Sequence, residues 1–106
     1  MSYKSKTLPM PSSDPFKVGR EELGWDPDNQ WTDFQITATG LGGGTYSVAG
    51  YVVGDGAEVA RPLATGKGEN DVVQLKDYLL RGLVFTLSGG TDPHPKFTIT
   101  GRLHGI

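Results

Sequence analysis

Hydrophobic and polar residues alternate with a period of two along much of this chain. Phe34, Ile36 and Ala38 alternate with Gln35, Thr37 and Thr39. Tyr46, Val48, Gly50 and Val52 share one side of residues 45–53, and Leu83, Phe85 and Leu87 share one side of residues 82–88. Phe97, Ile99, Gly101 and Leu103 do the same over residues 96–103. Successive side chains of a strand point to opposite faces, so each pattern predicts a strand with one buried side. Two weaker strands are expected, over residues 57–64 and 71–75. Pro62 has no amide hydrogen and demotes the first of them to an edge or a loop. Residues 18–24 suit one helical turn closed by Gly24. Residues 76–81 fit either a helical turn capped at Gly82 or a turn into the next strand.

Glycine punctuates these runs. Gly40-Leu41-Gly42-Gly43-Gly44 reads as a turn or flexible loop, Gly54-Asp55-Gly56 as a tight turn, and residues 65–70 as another turn. Gly89-Gly90-Thr91-Asp92-Pro93-His94-Pro95 reads as a rigid loop. Gly50 and Gly101 fall inside predicted strands, where they suggest bulges or close backbone approach. About six short strands, with turns roughly every 8–14 residues, predict an all-β fold. The expected form is an antiparallel β-sandwich or barrel, jelly-roll or Ig-like. The 16 glycines in 106 residues speak against a helical bundle, because each costs about 1 kcal/mol inside a helix.

The N-terminal segment has a different texture. Pro9, Pro11 and Pro15 stand in one segment with Ser2, Ser5, Ser12 and Ser13, which favours extended chain and gives little to bury. Residues 1–24 are therefore expected to form an extended arm, and residues 25–106 the β-sandwich domain. The arm is expected to be held either by its own domain or by another chain, with Tyr3, Leu8, Met10 and Phe16 as its candidate anchors in a partner's groove. Trp25-Asp26-Pro27-Asp28-Asn29-Gln30-Trp31 is turn chemistry.

Charge is segregated. Residues 1–20 carry a net +3, residues 21–58 a net −7 and residues 59–106 a net +2, which together make −2. A solvated surface explains this simply, and complementarity between subunits is the sharper reading. The central acidic block repels phosphates, so no nucleic-acid partner is expected. No run approaches the ~20 apolar residues of a membrane span, and no apolar signal-peptide core follows the N-terminus. Neither a membrane partner nor secretion is expected.

Candidate chemistry is thin. Gly66-Lys67-Gly68 lacks the Ser or Thr and the strand–loop–helix setting of a phosphate loop. Gly40–Gly44 lacks the helix of a dinucleotide fingerprint. Asp26, Asp28 and Asp33 are close enough to suggest calcium, but Trp31 stands where a calcium loop needs glycine and Thr37 where it needs glutamate. His94 and His104 match no ligand spacing, and without cysteine no thiolate zinc site exists. No nucleophile motif is present. No catalytic residues, metal site or cofactor are expected, and the chain reads as a non-enzyme.

Tyr46-Ser47-Val48-Ala49-Gly50-Tyr51-Val52-Val53, Leu83-Val84-Phe85-Thr86-Leu87-Ser88-Gly89-Gly90 and Phe97-Thr98-Ile99-Thr100-Gly101 give the chain the texture of a compact Gly/Thr-rich sandwich. In this, and in the arm before it, it resembles small virion structural proteins of tailed bacteriophages, such as capsid cement or decoration proteins and small tail or connector components. The resemblance implies a structural protein made in the host cytoplasm and located in the virion. It would form a homo-oligomer, a trimer or higher, on a major capsid or tail protein. The alternative is a carbohydrate-binding module or adhesin-like domain using Trp25, Trp31 and Tyr51. Aromatic rings beside Asp28, Asn29 and Gln30 are what stacks on and hydrogen-bonds a sugar. The plainer role for Trp25 and Trp31 is to staple the arm to the sandwich.

Overall fold

The computed structural model describes residues 2–10, 15–23, 29–52, 59–76 and 80–105. They form eight strands: β1 (Ser2–Pro9), β2 (Phe16–Val18), β3 (Asn29–Thr39), β4 (Thr45–Val52), β5 (Arg61–Lys67), β6 (Val73–Leu75), β7 (Leu80–Ser88) and β8 (Lys96–Gly105). A single helical turn, α1 (Arg20–Leu23), follows β2. The expected turn at residues 54–56, and residue 24 as a helix cap, lie outside the described residues. So do positions 77–79 of the ambiguous 76–81 stretch.

The strands make two antiparallel sheets, ordered β1-β8-β3-β6 and β2-β7-β4-β5. Strands one and eight, two and seven, three and six, and four and five each pair. That is a long eight-stranded hairpin rolled into two layers, the jelly-roll arrangement. It decides between the two sandwich forms expected from the sequence, since an Ig-like domain distributes its strands differently.

The predicted inner faces are the core. Phe34, Ile36 and Ala38 of β3, Tyr46 and Val48 of β4, Leu83 and Phe85 of β7, and Phe97 and Ile99 of β8 are all buried. Aromatic rings join the two layers: Phe85 stacks on Phe97 with centroids 4.2 Å apart, and Tyr46 meets Phe97 edge-on at 5.2 Å. The Tyr46 hydroxyl is buried among them without a hydrogen-bond partner among the described residues. Burial first, and the Asp71 carboxylate second, push its pKa up to about 12.

The glycine loops close one end of the sandwich. Thr91 N–H donates to Gly42 O and His94 N–H to Gly40 O, both at 2.9 Å. Gly42 has a φ of 62°, and a Cβ there would lie 2.3 Å from Thr91 O. Residues 40–44 are thus clamped rather than flexible, with Leu41 buried beneath them. The Glu69 carboxylate fixes this loop from the β5–β6 turn by accepting from Leu41 N–H at 2.7 Å.

The N-terminal segment departs from expectation. Residues 2–9 pair with β8 from Ser2↔Leu103 to Pro9↔Lys96, and residues 16–18 pair with β7. Both are edge strands of the sandwich, so this segment belongs to the domain rather than lying outside it. The physical reason is backbone hydrogen bonding to an eight-residue register, which needs few apolar side chains of its own. Two hydroxyl pairs reinforce it: Ser5 Oγ lies 2.6 Å from Thr100 Oγ1, and Thr7 Oγ1 lies 3.0 Å from Thr98 Oγ1.

Candidate functional site

The expected partner anchors are mostly committed to the chain's own interior. Phe16 packs between Phe85 and Phe97, at centroid distances of 6.2 and 6.4 Å. Leu8 and Met10 are partly buried against the core. Tyr3 alone of the four stands out, 64% exposed.

The aromatic set of the sugar-binding alternative is not assembled. Trp31 belongs to β3 in the first sheet, and Tyr51 to β4 in the second, where it lies beside Gly82. Trp25, Asp26 and Asp28 lie outside the described residues. Asn29, Gln30 and Trp31 extend β3 rather than forming a turn. His94 is exposed and approaches Asp92 at 3.5 Å, while His104 takes its place in β8 opposite Gln30. Among the described residues, no three His, Cys, Asp or Glu side chains come together as a metal site.

A different site is built on the outer face of the first sheet. The pairing of β3 with β8 slips between Thr32↔Arg102 and Gln35↔Thr100, leaving Asp33 and Phe34 opposite Gly101 alone. One extra residue on one strand is a β-bulge. Asp33 takes up the slip with a φ of 53°, a left-handed conformation that costs an ordinary residue roughly 1–2 kcal/mol and is milder for aspartate. Phe34 remains in the core, while Asp33 and Gln35 stand on the opposite face.

Cross-strand register then sets two rows over the sheet. Ser5, Thr100, Gln35 and Gln74 are register partners across all four strands. Beside them run Tyr3, its partner Arg102, the bulged Asp33 and Lys76, which follows β6. The first row is neutral, of hydroxyls and amides. The second carries two cations and one carboxylate.

Between the rows lies an open groove of about 270 Å³. Arg102 anchors it. Its guanidinium lies 5.8 Å from the centre of the Tyr3 ring, in cation–π contact. Its Nη1 is 3.6 Å from Asp33 Oδ2, an ion pair too long for a hydrogen bond. Its Nε is buried with no hydrogen-bond partner among the described residues. An arginine carries five donors, so this fork has capacity beyond its present contacts. Buried polar atoms without partners are rare enough in folded proteins to require an explanation.

Sequence reasoning did not find this site. Asp33 was legible only as a possible calcium-loop acid. Nothing in the local sequence around Gln74, Lys76 or Arg102 signals that register will bring them together. The one readable hint was the failure of strict alternation before Phe34.

No family model matches the chain, and no curated protein sequence matches it. Among solved structures it is similar to the IMPa metallopeptidase from Pseudomonas aeruginosa, with a TM-score of 0.53 and 14% identity. The match covers 98% of this chain but 12% of the peptidase chain. The likeness is one of fold, over a small part of a much larger protein.

Proposed function

We propose that this jelly roll is a non-catalytic binding module, and that the outer face of β1-β8-β3-β6 holds a hydroxyl-rich ligand, a saccharide. The observation that carries the reading is the bulge-made groove. It sets neutral amides and hydroxyls beside a charged row, next to one exposed ring. Sugars present hydroxyls that both donate and accept, together with an apolar ring face. Gln35, Gln74 and Thr100 meet the hydroxyls in either sense, and the Tyr3 ring offers the stacking surface. The fold does not choose the function by itself, because jelly rolls serve as capsid and as lectin domains alike. The saccharide reading is kept from the sequence, but on different residues from Trp25, Trp31 and Tyr51.

A glycan array probed with the whole chain tests this. Specific binding lost in Tyr3→Ala and Gln35→Ala, and retained in Tyr51→Ala, supports it. Absence of binding to any glycan refutes it.

The second reading is the assembly protein: a homo-oligomer, trimer or higher, on a capsid or tail lattice. Exposed Lys4 and Lys6 on the free edge of the first sheet, opposite in sign to the acidic 21–58 block, favour it. Native mass spectrometry distinguishes the two. A salt-sensitive trimer or larger ring supports assembly, and a monomer across the accessible concentration range argues for the binding module.

A further inference from the structure

The groove's charge is unbalanced. Arg102 and Lys76 are cationic and Asp33 is anionic, which leaves one net positive charge among the lining residues. Asp33 already faces Arg102 at 3.6 Å. No described carboxylate lies within 4.0 Å of the Lys76 ammonium, which stands exposed at the β6 side of the groove. The Arg102 fork is held in place by Tyr3 and Asp33, yet among the described residues its Nε has no hydrogen-bond partner. A neutral ligand would cover Lys76 without a counter-charge and leave the groove's excess positive charge unbalanced, at a cost in desolvation. A ligand with one negative charge would balance it.

Resting on the saccharide reading above, we infer that the preferred ligand is an acidic sugar, a pyranose bearing a single carboxylate. The carboxylate matches the planar donor fork of Arg102 and the point charge of Lys76. A phosphate or sulfate cluster fits less well. It brings more negative charge than the groove has in excess, beside the Asp33 carboxylate. Asp33 plays a separate part. An ionised carboxylate only accepts, so it bonds a ring hydroxyl and orients the sugar. The neutral row of Thr100, Gln35 and Gln74 takes the remaining hydroxyls, and the outer side of the Tyr3 ring packs on the sugar's apolar face. The groove's modest size, just under the usual range of small-molecule sites, suits one or two sugar rings lying open to solvent.

The test is calorimetric titration of the whole chain with a disaccharide of one galacturonic acid and one neutral sugar, which carries a single carboxylate, and with its carboxyl-reduced, neutral counterpart. The acidic disaccharide should bind about tenfold more tightly at low salt, with the preference shrinking as salt screens the charges. Arg102→Gln should abolish the preference. Lys76→Gln, at an exposed position that leaves the fold intact, should reduce it by several-fold. Equal binding of both disaccharides by the wild-type chain overturns the inference while leaving the saccharide reading in place. Binding of neither disaccharide, together with Lys76-dependent binding of an acidic peptide such as tetraglutamate, overturns both.

Discussion

Tyr46→Phe removes one buried oxygen and nothing else. The residue is fully buried, and its hydroxyl has no partner among the described residues. A buried polar group left unpaired costs about 1–3 kcal/mol relative to its hydrated state. The phenylalanine variant should therefore be at least as stable as wild type near neutrality, by about 1 kcal/mol. Alkaline pH gives the sharper test. The folded-state pKa is raised from 10.0 to about 12, by burial and then by Asp71. The unfolded chain thus releases this proton first. Wild-type stability is unaffected by the group below pH 10 and falls as pH climbs from 10 towards 12. The slope is about 1.4 kcal/mol per pH unit, so the whole window is worth about 2–3 kcal/mol. Urea unfolding of both proteins at pH 8 and pH 11.5, followed by circular dichroism, reads the difference. Every group other than residue 46 is common to both proteins and cancels in the comparison. A stability difference that does not change between the two pH values refutes the reasoning. So does a phenylalanine variant more than about 1 kcal/mol weaker at pH 8, since that would mean a lost hydrogen bond.

Three further outcomes are expected. Gly42→Ala combines a positive φ with a Cβ 2.3 Å from Thr91 O, and should cost more than about 2 kcal/mol in chemical denaturation. Glu69→Ala orphans the amide of buried Leu41 and should cost about 1–2 kcal/mol, visible as faster hydrogen exchange at that amide. In β1, Lys4 and Lys6 are register partners of Gly101 and Ile99, so they sit on the core-facing side of an edge strand. Charges placed this way block further strand pairing. Lys4→Val combined with Lys6→Val should therefore increase self-association or aggregation relative to wild type, as light scattering would record.

The strands that read clearly in the sequence are those whose alternation is enforced by burial. Phe34 to Ala38, Tyr46 to Val52, Leu83 to Leu87 and Phe97 to Ile99 each meet the opposite sheet, so each second residue had to be apolar. β1 escaped notice because it is an edge. Its Ser5 and Thr7 pair with hydroxyls on β8, ninety-odd positions away, and its inward side ends in lysines. Such a strand looks like linker until its partner is known. Pro62 did mark an edge: β5 borders its sheet, and its pairing with β4 slips twice. The site was illegible for a related reason. Asp33, Gln74 and Arg102 are ordinary surface residues in sequence. Only the bulge in β3, and the register it shifts, places them around one groove.

The position of β8 has a kinetic consequence. It lies between β1 and β3, and without it the first sheet has no contact between its earliest strand and its remaining ones. During synthesis, residues 2–9 must wait for residues 96–105 to emerge before they find their hydrogen bonds. In the second sheet the short β2 likewise waits for β7, but β4 and β5 pair directly and all four strands are made by residue 88. Pairings this distant in sequence are slow to close. Folding should thus proceed from the β4–β7 layer outward, with the groove-bearing layer formed last. The lysines of β1 are then protective in time as well as in space. They keep the earliest strand soluble during the interval in which it has no partner.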